Sequence, residues 1–496
     1  MVPRRSPIRE RRLYHFAGLG VSGKYGVHSN SLRNVRRALV ERVFNVEVNG
    51  KLQPPPQPEP GVFDQGMREF RERLRSVLPT LQPLSVDQFV DSYSGRRREV
   101  YRRAGEEFVR SGVKPKHSMI KAFVKAEKIF LDKKPDPAPR IIQPRGPVYN
   151  VALGRFLKHA EKPLFKAIGR VFGATTVYKG LNAHASAAKL REQWERFRRP
   201  VAIGLDASRF DQHVSRDALK YEHSIWPMFY RDSGDRAELC RLLACQLTNK
   251  GVAYADDGKI PYRTNGCRMS GDMNTSSGNC LLMCAMIYTY MSSLGINDYH
   301  LANNGDDCVV IMESSKLPKL GGLVDWFHRR GFTMKVEEPV YEFEQIDFCQ
   351  TQPCYTGKGW VMVRNPHSAM PKDLHSNCDI RDEYKRSQWL DAMNQGGLAL
   401  TDGVPCWASF YSMFECKPLR RGDDMSALYE SGFWRLSQGM THDHTTITPE
   451  ARYSFWLAFG ILPDQQVLFE ERVSRIRLCK LPVELHAPHY VGQCNW

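Results

Sequence analysis

Apolar positions fall along this chain in two rhythms, short unbroken runs and longer stretches at helical spacing. Val201-Ala202-Ile203-Gly204-Leu205 is of the first kind. It predicts a short buried strand ending at Asp206. A second run, Val309-Val310-Ile311-Met312, follows Asn303-Asn304-Gly305-Asp306-Asp307, and a polar glycine turn beside an apolar run predicts a β-hairpin with both aspartates at its tip. Between the two runs, helical spacing extends from about 217 to 248. It resumes after Ser270-Gly271-Asp272, from about 275 to 294. An amphipathic helix over 317–330 and a strand over 332–336 follow. Strand, helix, helix, hairpin, helix, strand predicts an α+β fold, a small antiparallel sheet with helices on one face.

Upstream, Gln53-Pro54-Pro55-Pro56-Gln57-Pro58-Glu59-Pro60 reads as an extended linker separating the first fifty residues from the rest. Residues 63–113 are helical and basic in pattern. Lys133-Lys134-Pro135-Asp136-Pro137-Ala138-Pro139 cannot continue a helix and must loop, delivering Arg140 to a strand at Ile141-Ile142. Beyond Pro366 the pattern is again helical and loop-rich, and Thr448-Pro449-Glu450 marks a helix start. No segment repeats.

Composition adds a partner. The chain has 496 residues, 42% of them hydrophobic, enough for a substantial core. No apolar run approaches the ~20 residues that span a bilayer, and no apolar segment follows the N-terminal arginines as a secretory signal would. The net charge of +17, with arginines clustered over 4–12 and 96–103 and basic residues over 121–145, points to a nucleic acid. Thirteen cysteines include no Cys-x-x-Cys pair. With Cys280, Cys284 and Cys308 in apolar stretches, they read as reduced core residues of an intracellular protein.

The hairpin tip suggests the chemistry. Adjacent carboxylates repel unless a divalent cation neutralises them, and oxygen-only ligation suits Mg²⁺ or Mn²⁺. Gly-Asp-Asp is also ordinary turn chemistry, and a second copy, Gly422-Asp423-Asp424, lies in a charged stretch with no apolar run beside it. Asp206 distinguishes the first copy. At the end of a neighbouring strand it would complete three carboxylates able to hold two ions ~3.5–4 Å apart. In Cys267-Arg268-Met269-Ser270-Gly271-Asp272-Met273-Asn274-Thr275-Ser276-Ser277-Gly278-Asn279, Thr275 and Asn279 share a helix face. Together with Asp211 they suit recognition of a ribose 2′-hydroxyl. Finally, Lys121-Ala122-Phe123-Val124-Lys125-Ala126-Glu127-Lys128 and Arg140-Ile141-Ile142-Gln143-Pro144-Arg145 alternate charge with apolar residues, as a phosphate-gripping channel wall would.

In this order the four stretches resemble the motifs of positive-strand RNA virus RNA-dependent RNA polymerases, most closely the tombusvirus family with its carmovirus-like members. Residues 121–145 resemble motif F, 206–211 motif A, 270–279 motif B, 304–307 motif C, 331–337 motif D and 343–350 motif E. The resemblance spans roughly 93–366 and implies a right-hand fold. Its expected divisions are an N-terminal extension (1–60) bridging fingers and thumb, fingers (61–200), palm with motif A (201–216), a fingers insertion (217–265), palm with motifs B to E (266–365) and thumb (366–496). It implies that Asp206, Asp306 and Asp307 hold Mg²⁺ or Mn²⁺. Lys125, Arg140 and Arg145 would grip the triphosphate, and Asp211 and Asn279 would sense the ribose. Ser270 and Thr275 would position nucleotide and template, Lys335 would protonate pyrophosphate, and residues 344–350 would form a hairpin gripping the growing strand.

Implied partners are template and product RNA and NTPs, not DNA. Replicases of this family usually carry an upstream membrane-anchoring region, so this chain is expected to be a separately started product, a polymerase-only portion, or a member that relies on another viral protein for membrane attachment. The expectation is therefore a cytoplasmic protein that reaches host membranes through a viral auxiliary replication protein. Two alternatives stand beside a polymerase: a reverse transcriptase-like enzyme and a non-catalytic RNA-binding scaffold. Asn304-Gly305 before the aspartates and the Asp211–Asn279 pair weigh against the first; three carboxylates at strand and turn ends weigh against the second. Trp407, Phe410 and Tyr411 offer a stacking platform for initiation, although such a cluster reads first as core.

Overall fold

The structure, a computed structural model, describes residues 1–19, 24–417, 433 and 437–485. At its centre lies a four-stranded antiparallel sheet in the order Tyr299–Asn303, Asp307–Glu313, Pro200–Ala207, Met334–Val336. The predicted hairpin and both flanking strands are present. Register pairs Asp307 with Asp206, and on the other side Lys335 with the same Asp206.

One expectation fails here. Helices do not cover a single face. Cys308, Val310, Met312, Val201, Ile203 and Leu205 point into a core containing the helix Thr275–Ser293. Ala202, Val309 and Ile311 point the other way, into a second core with the helix Ala183–Trp194 and the strand Trp360–Arg364. The unbroken apolar run at 309–312 is the signature of a strand buried on both faces, since alternation would leave one face polar.

The helical spacing over 217–248 resolves into Arg216–His223, a 3₁₀ turn at Trp226–Phe229 and Ser233–Ala244. Pro227 interrupts the first helix, and Asp232 caps the next by accepting the Asp235 N–H. Thr248–Ala255 then begins a hairpin with Gly258–Asn265 that the pattern reading did not anticipate. These two strands join Ile120–Val124, Ile141–Ile142 and Val2–Pro3 in a five-stranded sheet. Over 317–330 only Leu323–His328 is α-helical; Ser314–Gly322 is 3₁₀, as Pro318 and Gly321-Gly322 require.

The proline stretch is not a free linker. The Glu59 N–H donates to the Arg329 carbonyl at 2.8 Å, and a Cβ on Gly331 (φ +82°) would lie 3.0 Å from the Pro56 carbonyl oxygen. Nor are the first fifty residues separate. Helix Leu32–Leu39 packs Val35, Ala38 and Leu39 against Ile120, Ala122, Val124 and Ala253. Tyr14–Phe16 is the middle strand between His375–Ser376 and Val483–Leu485, and Tyr25–Gly26 pairs with Ile129–Phe130.

The C-terminal part is helical: Pro366–Asp373, Glu383–Leu400, Trp407–Ser412, Pro449–Phe459 and Pro463–Ser474. Thr448 caps the fourth as predicted, accepting the Ala451 N–H at 3.2 Å. Trp407, Phe410 and Tyr411 are core residues, at most 2% exposed, with the Tyr411 hydroxyl donating to Asp373 at 2.7 Å. They are therefore unavailable for base stacking. Cys280, Cys284 and Cys308 are buried free thiols. The Gly422 triplet lies outside the described residues. Among the described residues no helix is long and apolar enough to cross a membrane.

Candidate active site

Three carboxylates meet at one edge of the central sheet because a strand end and a turn face each other there. Asp206 is the penultimate residue of its strand and Asp307 the first of the next, so antiparallel register sets them side by side. Asp306 occupies the connecting turn. Its shape is set by buried Asn303, whose Nδ2 donates to the Gly305 carbonyl at 2.7 Å and whose Oδ1 accepts the Gly305 N–H at 3.2 Å. Gly305 has φ +94°, a conformation a side chain disfavours.

Asp307 is held from behind. Its Oδ2 accepts the Cys349 N–H at 3.0 Å, and Asn304 Nδ2 donates to the Cys349 sulfur at 3.0 Å. Cys349 and Gln350 both have positive φ (57° and 61°) in a two-residue turn joining Phe348 to Thr351, the mirror-image geometry that matches strand twist. Residues 344–350 are thus a 3₁₀ turn leading into this bend; the longer hairpin lies just beyond, Thr351–Tyr355 with Trp360–Arg364.

Negative charge is in excess at this edge. Burial, with Asp347, Asp306 and Asp206 nearby, pushes the Asp307 carboxyl up to about 7 against the opposing Cys349 hydrogen bond. Asp306 is raised by burial and by Asp206, and Glu337 by burial and Asp347. The donor set, carboxylate oxygens only, fits a hard divalent cation in kind. Among the described residues no three potential ligands are already drawn together around one point.

A cavity of about 640 Å³ opens in front of these groups. Its lining brings Asp206, Asp307, Lys335 and Glu337 of the sheet edge together with Arg42, Glu127, Lys128, Lys133, Arg140 and Asp347. The proline loop leads into the strand Ile141–Ile142 as predicted, and Arg140 just before it lines this cavity. Arg140 Nη1 and Lys125 Nζ lie 3.1 and 2.9 Å from the same Glu127 carboxylate oxygen.

Arg145 goes elsewhere. Its side chain is 1% exposed, with Nε 2.5 Å from Asp272 Oδ1, Nη2 2.5 Å from Asn249 Oδ1 and Nη1 2.8 Å from the Ser118 carbonyl. A buried guanidinium must find a carboxylate, and Asp272 is that partner; the structure does not bring Arg145 to the cavity.

Asp211 and Asn279 do meet: Asn279 Nδ2 donates to Asp211 Oδ1 at 2.8 Å. Burial raises the Asp211 carboxyl against this bond. Ser270 Oγ donates to the Ile141 carbonyl (2.8 Å), and the Gln143 N–H donates to the Ser270 carbonyl (3.2 Å), so the glycine segment is tied to the strand that follows Arg140. Thr275 Oγ1 donates to the Met269 carbonyl at 2.7 Å. Both hydroxyls thus hold their own segment in shape. Pattern reading missed the Cys349–Gln350 turn, where two non-glycine residues at positive φ leave no sequence mark. It also gave no role to Arg268, whose Nε donates to Asn279 Oδ1 at 3.0 Å. A lone arginine beside Ser270-Gly271 in a stretch otherwise poor in charge was the available signal.

Comparison with known proteins places the chain in a family. The chain is 46% identical over 475 residues to the RNA-directed RNA polymerase of tobacco necrosis virus (strain D), covering 95% of this chain and 65% of that protein. It is 47% identical to that of cucumber necrosis virus, covering 94% of this chain and 56% of that protein. To that of turnip crinkle virus it is 41% identical, covering 96% and 61%. It thus spans a little over half to just under two thirds of these relatives. The family model for viral RNA dependent RNA polymerase matches residues 1–480, and the chain belongs to that family. The resemblance carried by the motifs is thereby shown across nearly the whole chain, including the parts outside 93–366.

Proposed function

We propose that this chain is a template-directed RNA polymerase that copies a positive-strand viral genome from NTPs with two divalent metal ions. The observation that carries the reading is the pairing of Asp206 with Asp307 at adjoining strand ends, next to Asp306 on the turn, with Asp206 and Asp307 lining a cavity that Arg42, Lys128, Lys133 and Arg140 also line. The new phosphodiester forms between the 3′-oxygen of the growing strand and the α-phosphorus. The α–β phosphoanhydride breaks and pyrophosphate leaves. Divalent ions bound by Asp206, Asp306 and Asp307 would lower the pKa of the attacking hydroxyl and stabilise transferring charge.

The remaining residues bind and orient. Arg140 and Lys125 now share one Glu127 carboxylate; an incoming triphosphate offers both a denser polyanion. Lys335, cross-strand from Asp206 and lining the cavity, holds a proton at Nζ for the departing pyrophosphate. Asp211 and Asn279 contact the ribose 2′-hydroxyl, while Ser270 and Thr275 keep the template-side segment in place. The central sheet with its long helix is the palm, the five-stranded sheet and helices before it the fingers, and residues 366–496 the thumb. The pairing of Tyr14–Phe16 with strands at 375–376 and 483–485, together with that of Tyr25–Gly26 with Ile129–Phe130, supports an N-terminal bridge between the outer parts.

The test is the purified chain with RNA template, Mg²⁺ and labelled nucleotides. Product is expected from NTPs and not from dNTPs. Asp306→Ala with Asp307→Ala is expected to abolish incorporation while RNA binding in a mobility-shift assay persists. Synthesis by that double variant would refute the site, and preference for dNTPs would favour reverse transcription.

A further inference from the structure

Behind the Asp211–Asn279 pair lies a charged network that the chemistry above does not use. Arg268 and Glu222 form an ion pair at 2.5 Å between side chains that are both 0% exposed. Glu222 Oε1 also accepts from Trp226 Nε1 (2.9 Å) and Asn274 Nδ2 (2.6 Å). Removing two charges from water is costly, and an apolar pair would hold this core at least as well. Its geometry indicates what it specifies.

An asparagine amide presents nearly the same shape either way round, with a donor at one end and an acceptor at the other. Arg268 has donors only. By donating Nε–H to Asn279 Oδ1 at 3.0 Å it fixes which end is the oxygen, and so turns Nδ2–H₂ toward Asp211. The Arg268 N–H also donates to the Asp211 carbonyl at 2.9 Å, so one residue ties both members of the pair together. The helix leaves room for this brace only because residue 278 is glycine. A Cβ there would lie 2.5 Å from Glu222 Oε1 and 2.6 Å from Arg268 Nη2.

We propose that Arg268, braced by Glu222, is a positioning residue for sugar discrimination, setting the orientation of the Asn279 amide that lets Asn279 and Asp211 read a 2′-hydroxyl. This rests on the polymerase reading. Without Arg268 only the acceptor-only Asp211 carboxylate would orient the amide, and the pair would present its donor and acceptor less firmly.

The experiment measures kcat/KM for a matched NTP and its 2′-deoxy counterpart on a primed RNA template, for the full chain and for Arg268→Lys, Glu222→Gln and Asn279→Ala. Arg268→Lys keeps the charge but not the fork that reaches both partners. It is expected to lower the NTP-to-dNTP ratio about tenfold, the worth of one hydrogen bond, mainly through a higher KM for the NTP. Glu222→Gln, nearly isosteric and the milder test of folding, should lower the ratio in the same direction. Combining Arg268→Lys with Asn279→Ala should lower it no further than Asn279→Ala alone. Equal losses for both sugars in Arg268→Lys and Glu222→Gln would make the network purely structural and overturn the proposal. A wild-type chain that extends no primer would instead refute the polymerase reading, and this role with it.

Discussion

Replacing Arg145 with methionine separates structural support from triphosphate binding. Its guanidinium makes two contacts with Asp272 (2.5 and 3.2 Å), one with Asn249 (2.5 Å) and one with the Ser118 carbonyl (2.8 Å), and lies over the Tyr149 ring at 5.4 Å. Methionine fills much of the volume but leaves the Asp272 carboxylate buried without a counter-charge. Breaking a buried pair by removing one partner costs about 3–5 kcal/mol, a large part of the stability of an ordinary domain. Arg145→Met with Asp272→Leu removes both charges and should recover most of that loss. The assay is urea denaturation of the two variants and wild type, followed by fluorescence, comparing midpoints at equal slope. If Arg145→Met shifts the midpoint by less than the equivalent of about 1 kcal/mol while raising the KM for NTPs severalfold, Arg145 serves nucleotides after all, and the structural assignment is wrong.

Other expectations are briefer. Ala at Gly278 gains helix propensity of about 1 kcal/mol but drives a Cβ to 2.5 Å from Glu222. A net loss of about 2 kcal/mol is expected, read as a lowered melting temperature. Ala at Gly305 must adopt φ +94°, and incorporation should fall at least tenfold with RNA binding retained in a mobility shift. His300 is buried, and burial followed by Arg196 pushes its pKa down to about 3. Its unfolded form takes up a proton below about 6.5 while the folded form does not. Its contribution is therefore intact above pH 6.5 and is lost progressively as pH falls toward 3. His300→Gln should flatten the decline in denaturation midpoint between pH 7 and 5. Asp423→Ala with Asp424→Ala should leave nucleotide incorporation unchanged in the primed assay.

What could be read from the residues was local. The strands at 201–205 and 309–312, the long helix from Thr275, the Arg140 loop and the Thr448 cap each carry their cause within a few positions. The hairpin's own register is local too, but the pairing of Asp206 with Asp307 joins strands about a hundred positions apart and was signalled only by the shared chemistry of the carboxylates. Two kinds of feature escaped. The hairpin over 248–265 was hidden by its helical neighbour, although Asp256-Asp257-Gly258 is a turn signal between strand-like runs. Arg145 and Arg268 look alike in sequence to Arg140, yet two are buried against carboxylates more than forty positions away and one faces a cavity. Nothing within a few residues of an arginine says which partner the fold will supply. The proline stretch failed for a related reason: an extended segment lacks internal hydrogen bonds, and only its neighbours decide whether it is packed.

The strand Tyr14–Phe16 also has a consequence in time. It is synthesised about 470 residues before the strand that pairs with one of its edges, Val483–Leu485, which is made last among the described residues. At ordinary elongation rates that wait is on the order of half a minute or more. Throughout it, an unpaired β-edge is open to other chains or to chaperones. Closure of this sheet is therefore a late event in biogenesis. A product released early, before residue 483, would expose that edge and be prone to aggregate.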